Sequence, residues 1–185
     1  MVKEVLNETE SHMKGAIEAT KREFQAVRTS RANPAILERV VVEYYGTPTP
    51  LQQLANISVA DARMLVIQPW DKTVLSAVEK SILKADLGLN PVNDGSVIRL
   101  PIPQLTEERR KELVKLVKKE AEEKRIAIRN LRRDANEKIK VLEKDGKVPE
   151  DEGKRSLDEV QKLTDKYILE IDKLMEHKEK EIMEV

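Results

Sequence analysis

No cysteine occurs in this chain, which excludes disulfides, thiolate nucleophiles and thiolate metal ligands. Aromatic side chains make up only 3% of the sequence while charged ones reach 37%. That balance suits long, solvent-facing helices better than a sheet-dominated globule. Histidine is limited to His12 and His177, each in a polar helical stretch near a chain end, and both are expected to be solvated. No glycine-rich loop precedes a helix at phosphate-cradling spacing, so a nucleotide site has no support. No apolar run approaches the ~20 residues a bilayer span requires, and the first residues lack a signal-peptide core. A soluble cytoplasmic protein without a membrane segment is the expectation. The acidic run Glu150-Asp151-Glu152 opens a helix, where carboxylates complement the helix dipole rather than mark a metal site. No catalytic set, metal centre or cofactor site can be assembled from these residues.

What is present is charge, unevenly placed. Formal net charge is zero, but residues 107–145 hold 14 basic against 10 acidic side chains, and residues 146–185 hold 8 against 12. An anionic partner would therefore be met by a local patch and not by the chain as a whole.

Proline marks the organisation. Seven of eight prolines fall within 34–103, and residues 33–105 contain only 13 charged side chains. Two compositionally different units follow: an outer one at 1–30 and 106–185, and one inserted at 31–105. The outer unit reads as three amphipathic helices. Apolar stripes run through Leu6, Met13, Ile17, Phe24 and Val27 in 3–30, and through Val114, Val117, Ala121, Ile128, Leu131, Ala135 and Leu142 in 107–143. A third runs through Leu157, Val160, Tyr167, Ile171, Leu174 and Ile182 in 151–183. Thr106 is placed to cap the second helix, and Gly146 with Pro149 to end it. The three stripes bury one another, so an elongated three-helix bundle and a monomer are expected.

The insert reads as β/α/β. Arg39–Tyr45 is a strand closed by a turn at Gly46, Pro48 and Pro50; Ile57–Val59, Met64–Gln68 and Val97–Leu100 are further strands; Val74–Lys84 has helical spacing. Tyr44 and Tyr45 face opposite sides of their strand, one for burial and one free for a partner. Trp70, after a strand, is expected in the core. The class is thus α+β. Both junctions of the insert must lie close together, so Arg31, Ala32, Asn33 and Pro34 on one side and Gln104, Leu105 and Thr106 on the other form a candidate hinge. A rigidly docked module is the alternative.

One cluster stands out in the second helix. Side chains three and four apart are neighbours on a helix, and nearly every Lys or Arg there has an acid at that spacing: Lys111 has Glu107 and Glu108, Lys119 has Glu123, Lys124 has Glu120, Lys138 has Asp134. Arg129 and Arg132 have none. Arg125, Arg129, Arg132 and Asn136 share a face, with Arg133 beside them, and arginine forks suit bidentate phosphate contact. Without interleaved aromatics, backbone contact to double-stranded RNA fits better than single-strand stacking. The competing reading is an acidic neighbouring helix that supplies the partners, as in a helical adaptor or co-chaperone contacting only protein.

Six ordered stretches carry a resemblance: Arg28-Thr-Ser-Arg-Ala-Asn-Pro34, Val42-Glu-Tyr-Tyr-Gly-Thr-Pro-Thr-Pro50, Asp86-Leu-Gly-Leu-Asn-Pro91, Leu105-Thr-Glu-Glu-Arg-Arg-Lys111, Ile128-Arg-Asn-Leu-Arg-Arg133 and Gln161-Lys-Leu-Thr-Asp165. Along its whole length the chain resembles the bacterial ribosome recycling factors. The resemblance implies an L-shaped, two-domain protein that acts with elongation factor G, and with GTP hydrolysis on that partner, to split ribosomes after termination. It further implies that the bundle lies on large-subunit ribosomal RNA, with the family's RNA-contacting arginines matching Arg129 and Arg132. Ser30 departs from the glycine usual in the family, which moves the expected bending point toward residues 32–34.

Overall fold

The structure is a computed structural model that describes residues 1–184. It contains four α-helices and two small sheets among those residues: α1 (Val2–Gln25), β1 (Val41–Tyr44), β2 (Thr47–Pro50), β3 (Ala55–Asp61), β4 (Met64–Pro69), α2 (Leu75–Lys84), β5 (Val92–Asn93), β6 (Ile98–Pro101), α3 (Glu107–Lys144) and α4 (Glu150–Met183). The chain divides into two compact units. One comprises Met1–Phe24 and Val114–Lys180; the other comprises Gln25–Leu113 with the residues from Glu181 onward.

In the first unit the apolar stripes of α1, α3 and α4 meet. Met13, Ile17, Val117, Ala121, Ile128, Ala135, Ile139, Val160, Tyr167 and Ile171 are all buried, with Leu6 and Leu157 packed beside them. The seam also takes in hydroxyls, which helices normally tolerate poorly. Thr9, Thr20, Ser156 and Thr164 are satisfied by donating to the carbonyl four residues earlier, at 2.7–2.8 Å. Helix directions follow from the cross-links. Glu23 meets Lys124 and Glu8 meets Lys138, so α1 runs antiparallel to α3. These two lysines thus pair across to α1, with acids that spacing along their own helix does not reveal.

The ends of α3 are encoded locally. The Thr106 hydroxyl accepts from the Arg109 amide at 3.1 Å, and Glu107 and Glu108 occupy the first turn, where carboxylates complement the dipole. At the other end Gly146 adopts φ +70°. Its amide donates to Glu143 O and the Lys147 amide donates to Leu142 O, the paired bonds of a Schellman cap. Gly153, early in α4, leaves no Cβ where Glu143 approaches: a methyl there would lie 2.7 Å from its carboxylate.

The second unit holds the sheets. β3, β4, β6 and β5 form an antiparallel sheet in that order, and α2 buries Leu75, Val78 and Ile82 in a core shared with Leu65, Ile67, Ile98 and Leu100. β1 and β2 form a separate hairpin. Its turn residues, Tyr45 at φ 49° and Gly46 at φ 77°, both take left-handed angles, as a two-residue hairpin turn requires. Pro48 and Pro50 therefore belong to strand β2, not to the expected turn. β2 has one neighbour only, so a missing amide costs it nothing on the open side.

Three further expectations are corrected. α1 ends at Gln25 and not at 30, because Val27, Thr29 and Ser30 are poor helix formers buried in the second unit and the Thr29 hydroxyl accepts from the Arg31 amide instead. Trp70 is 68% exposed. Strand alternation explains it: Leu65, Ile67 and Pro69 point inward, and Gln68 and Trp70 fall on the other face. Tyr44 is half-buried and Tyr45 is 82% exposed, but the two do not face opposite sides of a strand. Tyr45 lies in the turn and its ring packs edge-on against that of Tyr44, with centroids 4.6 Å apart.

Two glycines give opposite expectations. Gly15 lies inside α1 with open space around the position of a Cβ, so Gly15→Ala should raise stability by roughly 0.5–1 kcal/mol. Gly146→Ala should lower it by about 1–2 kcal/mol by forcing a side chain into left-handed backbone. Urea unfolding of both variants checks the pair; equal effects in the same direction would contradict the cap geometry.

Candidate nucleic-acid interface

The arginine cluster is positioned by the rotation of α3. Ile128, Ala135 and Ile139 fix the buried side of the helix, which leaves Arg125 and Arg132 at the border facing α4 and Arg129 and Arg133 further round toward solvent. The five predicted residues are consequently not equivalent.

Arg125 is a structural tie. Its side chain is 16% exposed, its Nε donates to Asp172 Oδ1 of α4 at 2.7 Å and its Nη1 donates to Glu122 Oε2 at 3.0 Å. A third contact, from Nη2, reaches the sulfur of Met175 at 3.4 Å. Burial works against its charge, but the bonds to Asp172 and then Glu122 outweigh it and hold the guanidinium pKa above its ordinary value. For this residue the acidic-neighbour reading is the right one.

Arg129, expected without a partner, has one. Its Nη1 donates to Glu122 Oε1 at 3.1 Å, seven residues back along the same helix. Hydrogen bonds from Arg125 first and Arg129 second hold the Glu122 carboxyl below the usual carboxylate range. Arg132 is different. Its one hydrogen bond is a long 3.5 Å contact to the neutral Oε1 of Gln161, whose own amide donates to Asp165. Arg133 is exposed and makes no ion pair among the described residues. Asn136 is half-buried and its Oδ1 is buried without a hydrogen-bond partner.

The cluster belongs to a longer feature. Lys115, Lys118, Arg129, Arg133, Lys140 and Lys144 follow one another along α3 on the same face, and Asn136 lies among them. Two acids, Glu122 and Glu137, lie on that stripe, and of these only Glu122 makes an ion pair among the described residues. Lys115, Lys118, Lys140 and Lys144 are all exposed and have no ion-pair partner among the described residues. Sequence reasoning missed these lysines because it tested each cation only against partners three and four away. Helical spacing alone would have gathered them.

The linkers lie in the second unit and are tied to one turn. The Ala32 amide donates to Ala62 O at 2.7 Å, and the Ile102 amide donates to Arg63 O at 2.8 Å. The Arg28 guanidinium donates to Pro103 O at 3.1 Å, Asn33 caps a short turn that begins at Pro34, and Arg31 pairs with Glu184 at 3.4 Å. Gln104 is exposed, Leu105 is buried and Thr106 caps α3. Among non-glycine residues described, only Tyr45 and Asp86 have positive φ, so Ser30 sits in ordinary backbone and glycine is not required there.

A model of the ribosome recycling factor family matches residues 20–183. The chain belongs to the ribosome recycling factor family. The ribosome-recycling factor of Heliobacterium modesticaldum is 64% identical over 185 residues, covering all of both chains, and that of Bacillus subtilis is 60% identical over the same span. A solution structure of the ribosome recycling factor superposes with a TM-score of 0.76 at 50% identity, covering all of this chain and 98% of the other. A chain from models of the T. thermophilus ribosome recycling factor and E. coli elongation factor G bound to the E. coli post-termination complex gives 0.68 at 49%, covering all of both. The family is one of non-enzymatic translation factors, and long helices with a small β domain are its fold.

The Arg125–Asp172 contact should matter for folding. Asp172→Ala should cost roughly 1–2 kcal/mol in urea unfolding, because a mostly buried guanidinium loses its shortest charge-assisted bond. Asp165→Ala, which removes only a surface contact to Gln161, should stay within about 0.5 kcal/mol. Equal values for the two would show that the tie is not structural.

Proposed function

We propose that this chain works in the cytoplasm with elongation factor G to take apart the post-termination ribosome, and that the basic face of α3 holds it to large-subunit ribosomal RNA. The observation that carries the reading is the state of Arg132: a guanidinium in a charge-balanced protein with Arg129 three residues before it, no acid three or four residues away and only the neutral Gln161 amide oxygen in reach. Like charges at close helical spacing cost a few tenths of a kcal/mol unless an anion is supplied from outside. α3 contains no aromatic residue, so its surface suits phosphate oxygens and duplex shape rather than base stacking. The T. thermophilus relative with elongation factor G on the post-termination complex supports the partnership. In this reading GTP hydrolysis takes place on the partner and the chain contributes binding and mechanical coupling.

Arg132→Ala should leave folding almost unchanged and lower affinity for isolated large subunits by roughly 1.5–3 kcal/mol, the worth of a hydrogen bond to a charged group. Log affinity should also fall less steeply with log salt, by something approaching ~1 for a lost phosphate contact. Arg129→Ala should lose less, since Glu122 already engages that side chain. Lys154→Ala, paired with Glu150 on α4, is the control. Wild-type binding by Arg132→Ala at every salt concentration would overturn the reading.

The linkers, Arg31–Pro34 and Gln104–Thr106, are proposed as the coupling through which a push on the β unit reaches the bundle. Inserting two glycines after Gln104 should then leave subunit affinity intact while slowing the splitting of post-termination ribosomes by elongation factor G and GTP, followed by light scattering. Unchanged splitting would mean that no force passes through this connection.

A further inference from the structure

We propose that Glu122 is a built-in counter-anion of the RNA-binding face. It occupies the guanidinium of Arg129 in the free factor, as a phosphate would in the complex, and so limits how tightly RNA is held and how slowly it is released. The inference rests on the reading of α3 as the RNA-binding surface.

Of the two acids on the stripe that runs from Lys115 to Lys144, Glu122 and Glu137, only Glu122 makes an ion pair among the described residues. Each of its carboxylate oxygens is engaged, Oε2 by Arg125 Nη1 at 3.0 Å and Oε1 by Arg129 Nη1 at 3.1 Å. The two arginines differ in freedom. Arg125 is anchored across to Asp172 at 2.7 Å and is mostly buried, so it holds Glu122 in place from the inner side. Arg129 has no second tie and is 39% exposed, so it is the one able to exchange partners. A carboxylate and a phosphate both present oxygens to the planar guanidinium fork, and an arginine engaged by one is less available to the other.

The contact is also built to yield. Seven residues of helix span about 10 Å, so Glu122 and Arg129 meet only by extending both side chains along the surface. Exposed pairs held that way contribute little and exchange readily. Arg132 and Arg133 have no such occupant and remain available from the outset. The face therefore combines open cations with one that must first be released. A factor that has to leave the large subunit after each round gains from a carboxylate waiting beside the departing phosphate.

The test uses the full chain and isolated large subunits, with equilibrium affinity and dissociation rate measured across a salt series. Four proteins are compared: wild type, Glu122→Gln, Arg129→Ala and the double variant. Glutamine keeps the length and helix propensity of glutamate, and helical content by circular dichroism checks that each variant is folded. Glu122→Gln should bind about two- to fivefold more tightly, mostly through slower dissociation. Its salt dependence should steepen by up to ~1 in slope as Arg129 becomes a full phosphate contact. In the Arg129→Ala background the same substitution should bring no gain. Unchanged or weaker binding by Glu122→Gln would overturn the proposal. So would an equal gain in both backgrounds, since that signals only a general change of surface charge. Wild-type affinity in both Arg129→Ala and Arg132→Ala is a different failure, that of the RNA-binding surface itself.

Discussion

The apolar seam among α1, α3 and α4 is the constraint from which the remaining features follow. Each long helix can bury only one side in such a seam. On α3 that side is set by small and β-branched residues (Val117, Ala121, Ile128, Ala135 and Ile139) that allow close approach of the neighbours. Once they are inside, the rotation of α3 is fixed and so is the outward path of every other side chain. Arg125 marks the border. It is drawn in far enough to need Asp172, and one helical step further out the cations meet water. Electrostatics on this protein is thus arranged by packing, and the surface charges inherit their geometry from the core.

The long helices were legible because the 3–4 spacing of apolar residues is a direct image of helix geometry, and the caps at Thr106 and Gly146 are local chemistry. Three kinds of feature were less so. The end of α1 was obscured by Val27, which continues the apolar stripe on paper but is buried in the other unit. β2 was hidden by its two prolines, which signal a turn unless the strand is known to sit on an edge. Trp70 was assigned by residue type, although alternation from Leu65 onward would have put it on the outer face.

The ion pairs show the same division. Partners at three or four residues can be read along one helix, but Lys124 and Lys138 found theirs on α1 and Arg125 found its strongest on α4. Those depend on tertiary neighbours that a single sequence does not display. Arg129 escaped for a subtler reason. A seven-residue step returns to nearly the same side of a helix, and two long side chains reach across two turns where shorter ones would not. What remained legible was the distinction that matters, since Arg132 lacks a carboxylate both on paper and in the fold.

The order of elements has a consequence for how the molecule assembles. α3 and α4 are joined by a short turn sealed by the Gly146 cap, so their pairing is local and can form as soon as both are present. α1 belongs to the same seam, yet the entire β unit lies between it and its partners in the chain. During synthesis α1 emerges first and must wait, with Met13, Ile17 and Phe24 uncovered, until α3 has been made. Its docking closes a far longer loop than the α3–α4 hairpin does, and long-range closure is the slower event. The inserted unit, continuous in sequence, can meanwhile complete its own core. The sequential order of translation and the spatial order of the bundle are therefore out of step, and the first helix made is the last to find its place.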